Sequence, residues 1–257
     1  MLKGKRGIIF GIANDHSIAW GISKKLSEHG AELALTYQND TLLKRIEPLS
    51  KKINSKLLIE CDFSQSNSIK KCFDNLNQKW DNIDFVIHAA AFSDKKELNG
   101  RYIDTSKDNF INTLNISCYS FTEISKFASK MMGNNGGSLV TLSFYGAKKV
   151  MPNYNVMGIA KAALEISVKY LSVDLGNKKI RVNAISAGPM RTLAGAAIAK
   201  AREVYKYTEQ NSPLQRNVDL DELGNAALYL VSDLSKAVSG EIHFVDCGFN
   251  VIGMPKN

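Results

Sequence analysis

The sequence of 257 residues has no long apolar run and no paired cysteines, and each absence excludes a class of protein. No apolar run approaches the roughly 18 residues of a membrane-spanning helix. The basic N-terminal stretch MLKGKRGIIFG also contains too short an apolar run for a secretory signal. The four cysteines lack C-x-x-C spacing and the four histidines lack metal-ligand spacing. We therefore expect a cytoplasmic protein with reduced thiols, without a membrane segment and without a bound metal.

The charged residues give a net charge of +8, but the lysines are scattered in doublets such as Lys24–Lys25 and Lys178–Lys179. Nucleic-acid binding needs a concentrated basic patch and usually a recognisable motif, and the sequence offers neither. We therefore expect no nucleic-acid partner. The dispersed positive charge instead favours acidic partners through long-range attraction.

Short apolar segments alternate with amphipathic segments almost from end to end, which is typical of a parallel β-sheet covered by helices on both faces. The predicted strands are 7–12, 31–37, 56–62, 84–90, 137–143, 180–186 and 241–246. The predicted helices are 18–30, 40–52, 66–80, 106–132, 153–175, 193–210 and 219–232. No linker interrupts the alternation, so we expect an α/β fold with a single domain, residues 1–257, built on a doubly wound Rossmann-type sheet. Such folds bind ligands beyond the carboxyl ends of the strands, near the point where the strand order reverses.

The segment FGIANDHSIAWGI joins the first predicted strand to the first predicted helix. A turn of small residues at such a junction presents backbone N–H groups and the positive end of a helix to a pyrophosphate. Gly11 is present, but Ser17, Ala19 and Gly21 stand where the G-x-G-x-x-G motif has its later small residues. Ser17 could instead be an ordinary N-cap. The position directly after the first strand favours a dinucleotide site.

The residues after the second and third strands predict which dinucleotide is bound. The segment TYQND has no arginine or lysine at 38–40, and Asp40 would repel a 2′-phosphate, so NADH is favoured over NADPH. Gln38 can hydrogen-bond the adenosine. In ECDF, Asp62 and Phe63 are positioned to contact the adenine. The alternatives are that 38–40 are ordinary loop residues and that Asp62 is the N-cap of the next helix.

The segment PNYNVMGIAKAALE places Tyr154 and Lys161 seven positions apart within a predicted helix. Seven residues turn a helix through about 700°, so both side chains project from one face, about 10 Å apart along the axis. Both side chains could then contact one bound molecule. The alternative is a surface tyrosine and a solvated lysine.

Together, SIAWGI, AELALTYQND, NYNVMGIAKAALE and RVNAISAGPMRTLA resemble the bacterial NADH-dependent enoyl-(acyl-carrier-protein) reductases, a divergent group of the short-chain dehydrogenase/reductase superfamily. The resemblance runs from about residue 3 to residue 252. Its most specific element is Tyr-x6-Lys, because most of the superfamily has Tyr-x3-Lys and here the fourth residue after Tyr154 is Gly158. The resemblance implies hydride transfer from NADH to the β-carbon of a trans-2-enoyl thioester in fatty-acid synthesis. Tyr154 would stabilise and protonate the enolate.

The resemblance also implies a set of site residues. Tyr154 and Lys161 would be catalytic, together with Phe144 at the place of the family's second tyrosine. The cofactor would be bound by Gly11, Ser17, Ile18, Gln38, Asp62, Phe63, Ala90, Lys161, Met190, Arg191, Thr192, Leu193 and Ala194. The substrate would be bound by Phe92, Ser93, Tyr154 and Met157. The helical segment 193–210 would cover the substrate.

The sequence departs from the family at that second tyrosine. It reads SFYGA where the family has SYLGA, so Tyr145 follows Phe144 by one residue. In an extended segment, a shift by one residue reverses the direction in which a side chain faces, so Tyr145 is not an obvious substitute.

Two other functions stay open on the sequence. The first is a related reductase acting on a carbonyl or another activated alkene; Ser143 supplies the serine that carbonyl-reducing relatives use, while the Tyr-x6-Lys spacing argues against it. The second is a catalytically silent dinucleotide sensor, which we would expect to lack the tyrosine or the lysine. The enoyl reductase function implies thioesters of acyl carrier protein as substrates. These carriers are acidic and suit a net charge of +8. The resemblance further implies a homotetramer.

Overall fold

The computed structural model of the chain describes residues 1–196 and 199–254, in which seven parallel strands form one sheet. The strands are β1 (Arg6–Phe10), β2 (Glu32–Tyr37), β3 (Leu57–Glu60), β4 (Phe85–His88), β5 (Gly137–Phe144), β6 (Ile180–Ala187) and β7 (Ile242–Val245). The helices are α1 (Ile18–Glu28), α2 (Asp40–Lys52), α3 (Ser68–Asn77), α4 (Lys95–Leu98), α5 (Lys107–Leu114), α6 (Ser120–Met131), α7 (Asn155–Gly176), α8 (Leu193–Ala196), α9 (Ala201–Asn211) and α10 (Leu220–Val231). Within the described residues, no helix combines the length and apolar character needed to cross a membrane.

The strand order is β3-β2-β1-β4-β5-β6-β7, so the direction of winding reverses between β1 and β4. Successive residues of β1 pack into different layers: Ile8 and Phe10 belong to one core cluster and Ile9 to the other. All three are at most 1% exposed, because helices cover both faces of the sheet. The doubly wound α/β fold expected from the sequence is therefore confirmed.

Three predicted helices differ from the observed ones. The predicted helix 106–132 is interrupted by a π-helical turn at Asn115–Tyr119, where Ser117 Oγ accepts a hydrogen bond from Phe92 N at 3.0 Å and donates one to Phe92 O at 3.1 Å. The extra residue in the turn thus directs a hydroxyl to the loop after β4, as π-bulges near functional sites often do. The predicted segment 193–210 consists of α8 and α9, and its residues 197 and 198 lie outside the described part.

Tyr154 was expected inside a helix, yet α7 begins one residue later and Tyr154 is its N-cap residue. Its neighbours Asn153 and Asn155 both have positive φ angles, of 59° and 33°. The chain therefore turns sharply on either side of Tyr154, and the ring is directed by this turn as well as by the helix.

Gly11 ends β1 where the loops after β1 and β4 lie closest. Its φ is +99°, and a Cβ atom would lie only 2.4 Å from the carbonyl carbon and oxygen of Ala89. Both the backbone angle and the close approach of the two loops therefore require glycine.

Gly11→Ala is expected to lower the free energy of unfolding by about 2–5 kcal/mol: about 1–2 kcal/mol for the backbone angle and about 1–3 kcal/mol for the clash. Gly100→Ala is the matched control, since Gly100 has a φ of +84° but a Cβ there would meet nothing within 4 Å. Gly100→Ala should lower the free energy of unfolding only by the roughly 1–2 kcal/mol expected for the backbone angle, the same as that part at Gly11. Urea unfolding of both variants measures the difference, and equal costs would contradict the close approach at Gly11.

Candidate active site

A cleft of about 2640 Å³ opens at the carboxyl ends of the strands, across the point where the strand order reverses. Sixteen of the residues predicted for the site line it: Gly11, Ile18, Gln38, Asp62, Phe63, Ala90, Phe92, Ser93, Phe144, Tyr154, Met157, Lys161, Met190, Arg191, Thr192 and Leu193. Two predicted residues remain. Ser17 is buried beside the loop after β1, and Ala194 lies in α8, where the structure describes its backbone alone. Residues far apart in the sequence are thus brought to one edge of the sheet.

The turn between β1 and α1 is organised by Ser17. Its Oγ accepts hydrogen bonds from the N–H groups of Ala13 and Asn14, each at 3.0 Å. Ser17 occupies the N-cap position of α1, but its side chain makes no capping bond to the helix. Ser17 is therefore the N-cap residue by position, as the alternative predicts, but its hydroxyl orders the preceding loop and does not cap the helix. The first turn of α1 keeps N–H groups directed to the cleft end of the helix, which is the arrangement that binds a phosphate.

The side chains after β2 and β3 are joined by a hydrogen bond. Gln38 Nε2 donates to Asp62 Oδ1 at 3.1 Å, and the same oxygen accepts from Ser64 N and Ser64 Oγ at 2.9 and 2.8 Å. The N-cap residue of α3 is Asn67, so the suggestion that Asp62 caps that helix is wrong. Asp62 instead orders its own turn and holds Gln38 at the rim of the cleft.

Phe63 is half-buried beside this pair. Its ring stacks on His88 with centroids 5.8 Å apart, and it also contacts Phe10 at 5.7 Å. His88 is buried between Thr141 Oγ1 at 2.8 Å and Ser120 Oγ at 2.9 Å. Burial, together with the nearby charge of Lys161, lowers the pKa of His88 to about 3. The imidazole is therefore neutral and supports the wall of the cleft.

Tyr154 is only 7% exposed, and its ring packs edge-on against Phe144, with centroids 5.1 Å apart and planes at 66°. Burial raises the pKa of its phenol well above the ordinary value, and the nearby carboxylate of Glu165 raises it further. Tyr154 therefore keeps its proton throughout the neutral pH range and can act as a hydrogen-bond donor.

Lys161 is 6% exposed, and its Nζ donates a hydrogen bond to the carbonyl of Leu142, near the end of β5, at 2.7 Å. Burial lowers the pKa of this ammonium to about 8, against the opposing influence of Cys118 and Glu165. A surface tyrosine and a solvated lysine are therefore excluded, because both side chains are buried on the wall of one cleft. The buried pair of Tyr154 and Lys161 is the chemically distinctive feature of the cleft.

A hydrogen-bonded group fixes the loop at the cleft mouth. Ser93 Oγ accepts from Thr113 Oγ1 at 3.0 Å, while Asn109 Oδ1 accepts from Asp94 N at 2.9 Å. Asn109 Nδ2 also donates to Glu97 Oε2 at 3.2 Å. The hydroxyl of Ser93 is thus engaged with its neighbours. The network joins the loop after β4 to α5, and no spacing in the sequence predicts it.

The opposite wall is formed by the residues after β6. The guanidinium of Arg191 lies 4.5 Å from the ring centroid of Tyr205, a cation–π contact that joins this wall to α9. Thr192 Oγ1 accepts from Gly195 N at 2.9 Å. Within the described residues, no three His, Cys, Asp or Glu side chains are grouped to hold a metal ion.

Tyr145, the displaced tyrosine, does not share the wall with Phe144. It begins a 3-10 turn at Tyr145–Ala147, so the alternation of an extended strand no longer applies there. Its ring packs against Phe249 with centroids 5.7 Å apart. The prediction that Tyr145 does not replace Phe144 thus agrees with the geometry, although the cause is the end of the strand.

The sequence reading missed a buried carboxylate behind the Tyr154–Lys161 pair. Glu165 is 1% exposed, accepts a hydrogen bond from Ser143 Oγ at 2.7 Å and lies 2.9 Å from Lys148 Nζ. Its position four residues after Lys161 places it one helical turn away, and this spacing was the available signal.

Comparisons with known proteins agree along the whole chain. A family profile described as enoyl-(acyl carrier protein) reductase matches residues 11–250. The enoyl-(acyl-carrier-protein) reductase (NADH) 1 of Rhizobium meliloti is 57% identical over 99% of this chain and 93% of its own. The crystal structure of FabI from Candidatus Liberibacter asiaticus superimposes with a TM-score of 0.97, at 52% identity, covering 99% of this chain and 98% of its own. The reductase of Anaplasma phagocytophilum, solved in complex with NAD, gives a TM-score of 0.96 at 54% identity, covering 100% and 97%.

Replacing Lys161 by methionine is expected to stabilise the protein while removing the ammonium from the cleft. The pKa of Lys161 is about 8 when folded, against an ordinary value of 10.5, so the folded state disfavours the charge by about 3 kcal/mol at pH 7. This cost is present below pH 8 and is relieved as the pH rises from 8 towards 10.5. In urea unfolding, Lys161→Met should have a higher free energy of unfolding than the wild type at pH 7. The difference should be smaller at pH 10. Lys149→Met, at an exposed lysine, is the control; a pH-independent difference would contradict the buried charge.

Proposed function

This chain belongs to the enoyl-(acyl-carrier-protein) reductase family, and we propose that its cleft is where a trans-2-enoyl thioester of acyl carrier protein is reduced with NADH. The protein is an NADH-dependent oxidoreductase that acts on the carbon–carbon double bond of its substrate. The observation that carries the assignment of the site is the buried pair of Tyr154 and Lys161 on one cleft wall. The roles given below to individual residues are proposals.

The residues at one end of the cleft fit a dinucleotide. A Cβ at Gly11 would meet the Ala89 backbone, so the loops after β1 and β4 come together at the cleft, next to the N-terminus of α1. We assign the pyrophosphate to this turn, with Gly11 and Ile18 contacting it and Ser17 shaping the loop. Gln38, held by Asp62, would take the adenosine. The acidic side chains of Asp40 and Asp62 and the lack of a cation at 38–40 disfavour a 2′-phosphate and support NADH.

Phe63 would border the adenine from the other side. Ala90 would lie beside the nicotinamide ribose, with Lys161 on its hydroxyls. Met190, Arg191, Thr192, Leu193 and Ala194 would surround the nicotinamide amide and the phosphates. When bound, NADH supplies the hydride that is added to the β-carbon of the enoyl group.

The chain's own contribution to the chemistry centres on Tyr154. As negative charge develops on the thioester oxygen, the protonated phenol donates a hydrogen bond to it and stabilises the transition state more than the ground state. The ammonium of Lys161 adds a positive charge to the same buried region, where charges interact more strongly than in water. Because the pKa of Tyr154 is raised by burial, the phenol stays protonated until the enolate forms.

Phe144 and Met157 complete the proposed acyl pocket with Phe92 and Ser93. Phe144 has no hydroxyl, so it restrains the ring of Tyr154 by an edge contact at 5.1 Å without competing for the oxyanion. The segment 193–210 would cover the substrate from the side of α9. Tyr205, in the described part of this segment, contacts the guanidinium of Arg191 and so joins α9 to the cleft wall.

A carbonyl reductase is the second candidate, and Ser143 bears on it. Carbonyl-reducing relatives use a serine hydroxyl at this strand end, but Ser143 Oγ is committed to the buried Glu165 at 2.7 Å. The geometry thus favours the enoyl reductase. A silent sensor is disfavoured because the tyrosine and the lysine are both present and both face the cleft.

We further propose a homotetramer, on the evidence of an apolar face on α7. Ile159, Ile166, Tyr170 and Val173 follow helical spacing on this face and are 42–81% exposed. α5 and the π turn, which pack beside α7, add Ile111 and Tyr119, each 55% exposed. A continuous apolar helix face of this kind suits burial against another copy of the chain. A cytoplasmic location stays a prediction.

Tyr154→Phe should reduce kcat by about 10²–10³-fold, the usual cost of losing one donor to a developing oxyanion. NADH oxidation is followed by absorbance with a crotonyl or dodecenoyl thioester of acyl carrier protein. NADPH is assayed in parallel, and NADH binding to the variant is measured separately. Binding should persist, because the phenol is assigned to the substrate oxygen. Full activity in the variant would overturn the role of Tyr154, whereas a wild type that binds NADH without turnover would overturn the proposed function.

Tyr170→Glu combined with Val173→Lys should dissociate the assembly into smaller species, because both changes place charges on the α7 face. Light scattering coupled to size-exclusion chromatography measures the mass. Val150→Lys is the matched control, since Val150 is 99% exposed but lies in the loop after β5. A wild-type monomer, or a double variant with unchanged mass, would contradict the proposed interface.

A further inference from the structure

The connection between β5 and α7 carries both aromatic residues of the proposed site, and one buried carboxylate holds it on two sides. Glu165 Oε1 accepts a hydrogen bond from Ser143 Oγ at 2.7 Å, at the end of β5. Glu165 Oε2 lies 2.9 Å from Lys148 Nζ, in the middle of the connection. Phe144 directly follows Ser143, at the start of this connection. Tyr154 lies at its other end, directly before α7.

Glu165 is itself almost completely buried, since 1% of its surface is exposed, whereas its partner Lys148 is 44% exposed in its side chain. A carboxylate is expensive to bury unless it is paired and hydrogen-bonded. Glu165 has both kinds of partner. The hydride-transfer mechanism proposed above makes no use of it, so its burial directly behind the cleft calls for another role.

The surroundings of Lys161 show what that role is. Glu165 lies one helical turn from Lys161 on the inward side of α7, and both are buried. The other titratable groups that influence Lys161 among the described residues are neutral near pH 8. His88 on β4 has a pKa of about 3, and burial raises the pKa of the Cys118 thiol on the π turn and of the Tyr154 phenol.

Glu165 and its ion-pair partner Lys148 are therefore the charged groups that act on the Lys161 ammonium. We propose that Glu165 is a positioning residue, which keeps Lys161 protonated in the free enzyme and anchors the connection that carries Tyr154. The inference rests on the proposed enoyl reductase function.

The test uses the pH dependence of kcat/KM for NADH, which reports groups of the free enzyme. The wild type should lose activity on the alkaline side of about pH 8, as Lys161 loses its proton. Glu165→Gln keeps an oxygen for Ser143 but removes the charge, so this alkaline limb should move down by about one pH unit, as expected for the loss of a nearby opposite charge.

Lys148→Met is the second variant, and it changes only an exposed side chain, so it should fold even if Glu165→Gln does not. It removes the cation that partly neutralises Glu165, so the alkaline limb should move to higher pH. The movement should be smaller than for Glu165→Gln, because Lys148 is half exposed and screened by water.

Two controls should leave the limb in place. Lys149→Met removes the neighbouring exposed lysine, and Cys118→Ala removes the thiol that faces Lys161. Opposite movements in Glu165→Gln and Lys148→Met support the inference. A limb that is unmoved in Lys148→Met, or that moves in the same direction in both variants, overturns it, as does a shift in Cys118→Ala equal to that in Glu165→Gln.

Thermal unfolding of each variant separates this role from a merely structural one, because lost stability alone leaves the pH limb where it was. An inactive wild type would overturn the proposed function itself. An active wild type with an alkaline limb near pH 8 that neither charge variant moves would overturn the role of Glu165 alone.

Discussion

The hydrogen bond from Lys161 Nζ to the carbonyl of Leu142 joins α7 to the carboxyl end of β5 at one rotation about the helix axis. Once that ammonium is fixed at the carboxyl end of β5, helical geometry directs every other residue of α7. Met157 and Glu165 lie within about 40° of Lys161 around the axis and face inward, at about 100° per residue. Ile166 and Tyr170 lie about 140–180° away and face outward. The rotation of α7 that brings Lys161 to Leu142 therefore also forms the inner wall of the cleft and the outer apolar face.

This arrangement places a group that is costly to bury on the wall of the cleft. Burial lowers the pKa of Lys161 to about 8, which means that the folded protein disfavours its charge. Two local groups offset this cost: the carbonyl of Leu142 at 2.7 Å from Nζ, and the buried carboxylate of Glu165 one turn along the helix. Stability is supplied elsewhere, by two apolar layers that cover the sheet, such as Ile8 and Phe10 on one side and Ile9 on the other. The strain at the cleft and the strength of the core are thus spatially separate.

The sequence was sufficient for the fold because the period of its apolar residues changes visibly between strands and helices. The positions of all seven strands and the order of βα units follow from apolar runs such as IIF and FVI. The position of the cleft follows because parallel strands end at one edge of the sheet. The spacing of Tyr154 and Lys161 predicts that both side chains face one ligand site, and both line the cleft.

Features that depend on three-dimensional contact were not predictable in the same way. The π turn has no signature in local spacing, and the partner of its Ser117 hydroxyl is the backbone of Phe92, 25 residues earlier in the chain. Ser143 looked like a serine available for catalysis, but its partner Glu165 lies 22 residues away in the chain. Asp62 looked like a helix cap because caps and turn-forming carboxylates use the same residue types. For Ser143 and Asp62 the sequence predicts a polar side chain after a strand, and only the partner of that side chain was unknown.

The adjacent aromatic residues Phe144 and Tyr145 at the end of β5 show how neighbours in the sequence can have different contacts in the structure. The chain leaves the strand at Phe144, so Phe144 and Tyr145 face different surroundings although they are adjacent. Phe144 contacts Tyr154, whereas Tyr145 packs on Phe249, whose ring also contacts Tyr207 of α9 at 6.1 Å. Through Phe249, the ring of Tyr145 therefore joins the connection between β5 and α7 to α9. The phenol that shares the cleft wall with Lys161 is that of Tyr154. Its ring is held by the edge contact with Phe144, by the turn at Asn153 and by the connection that Glu165 anchors.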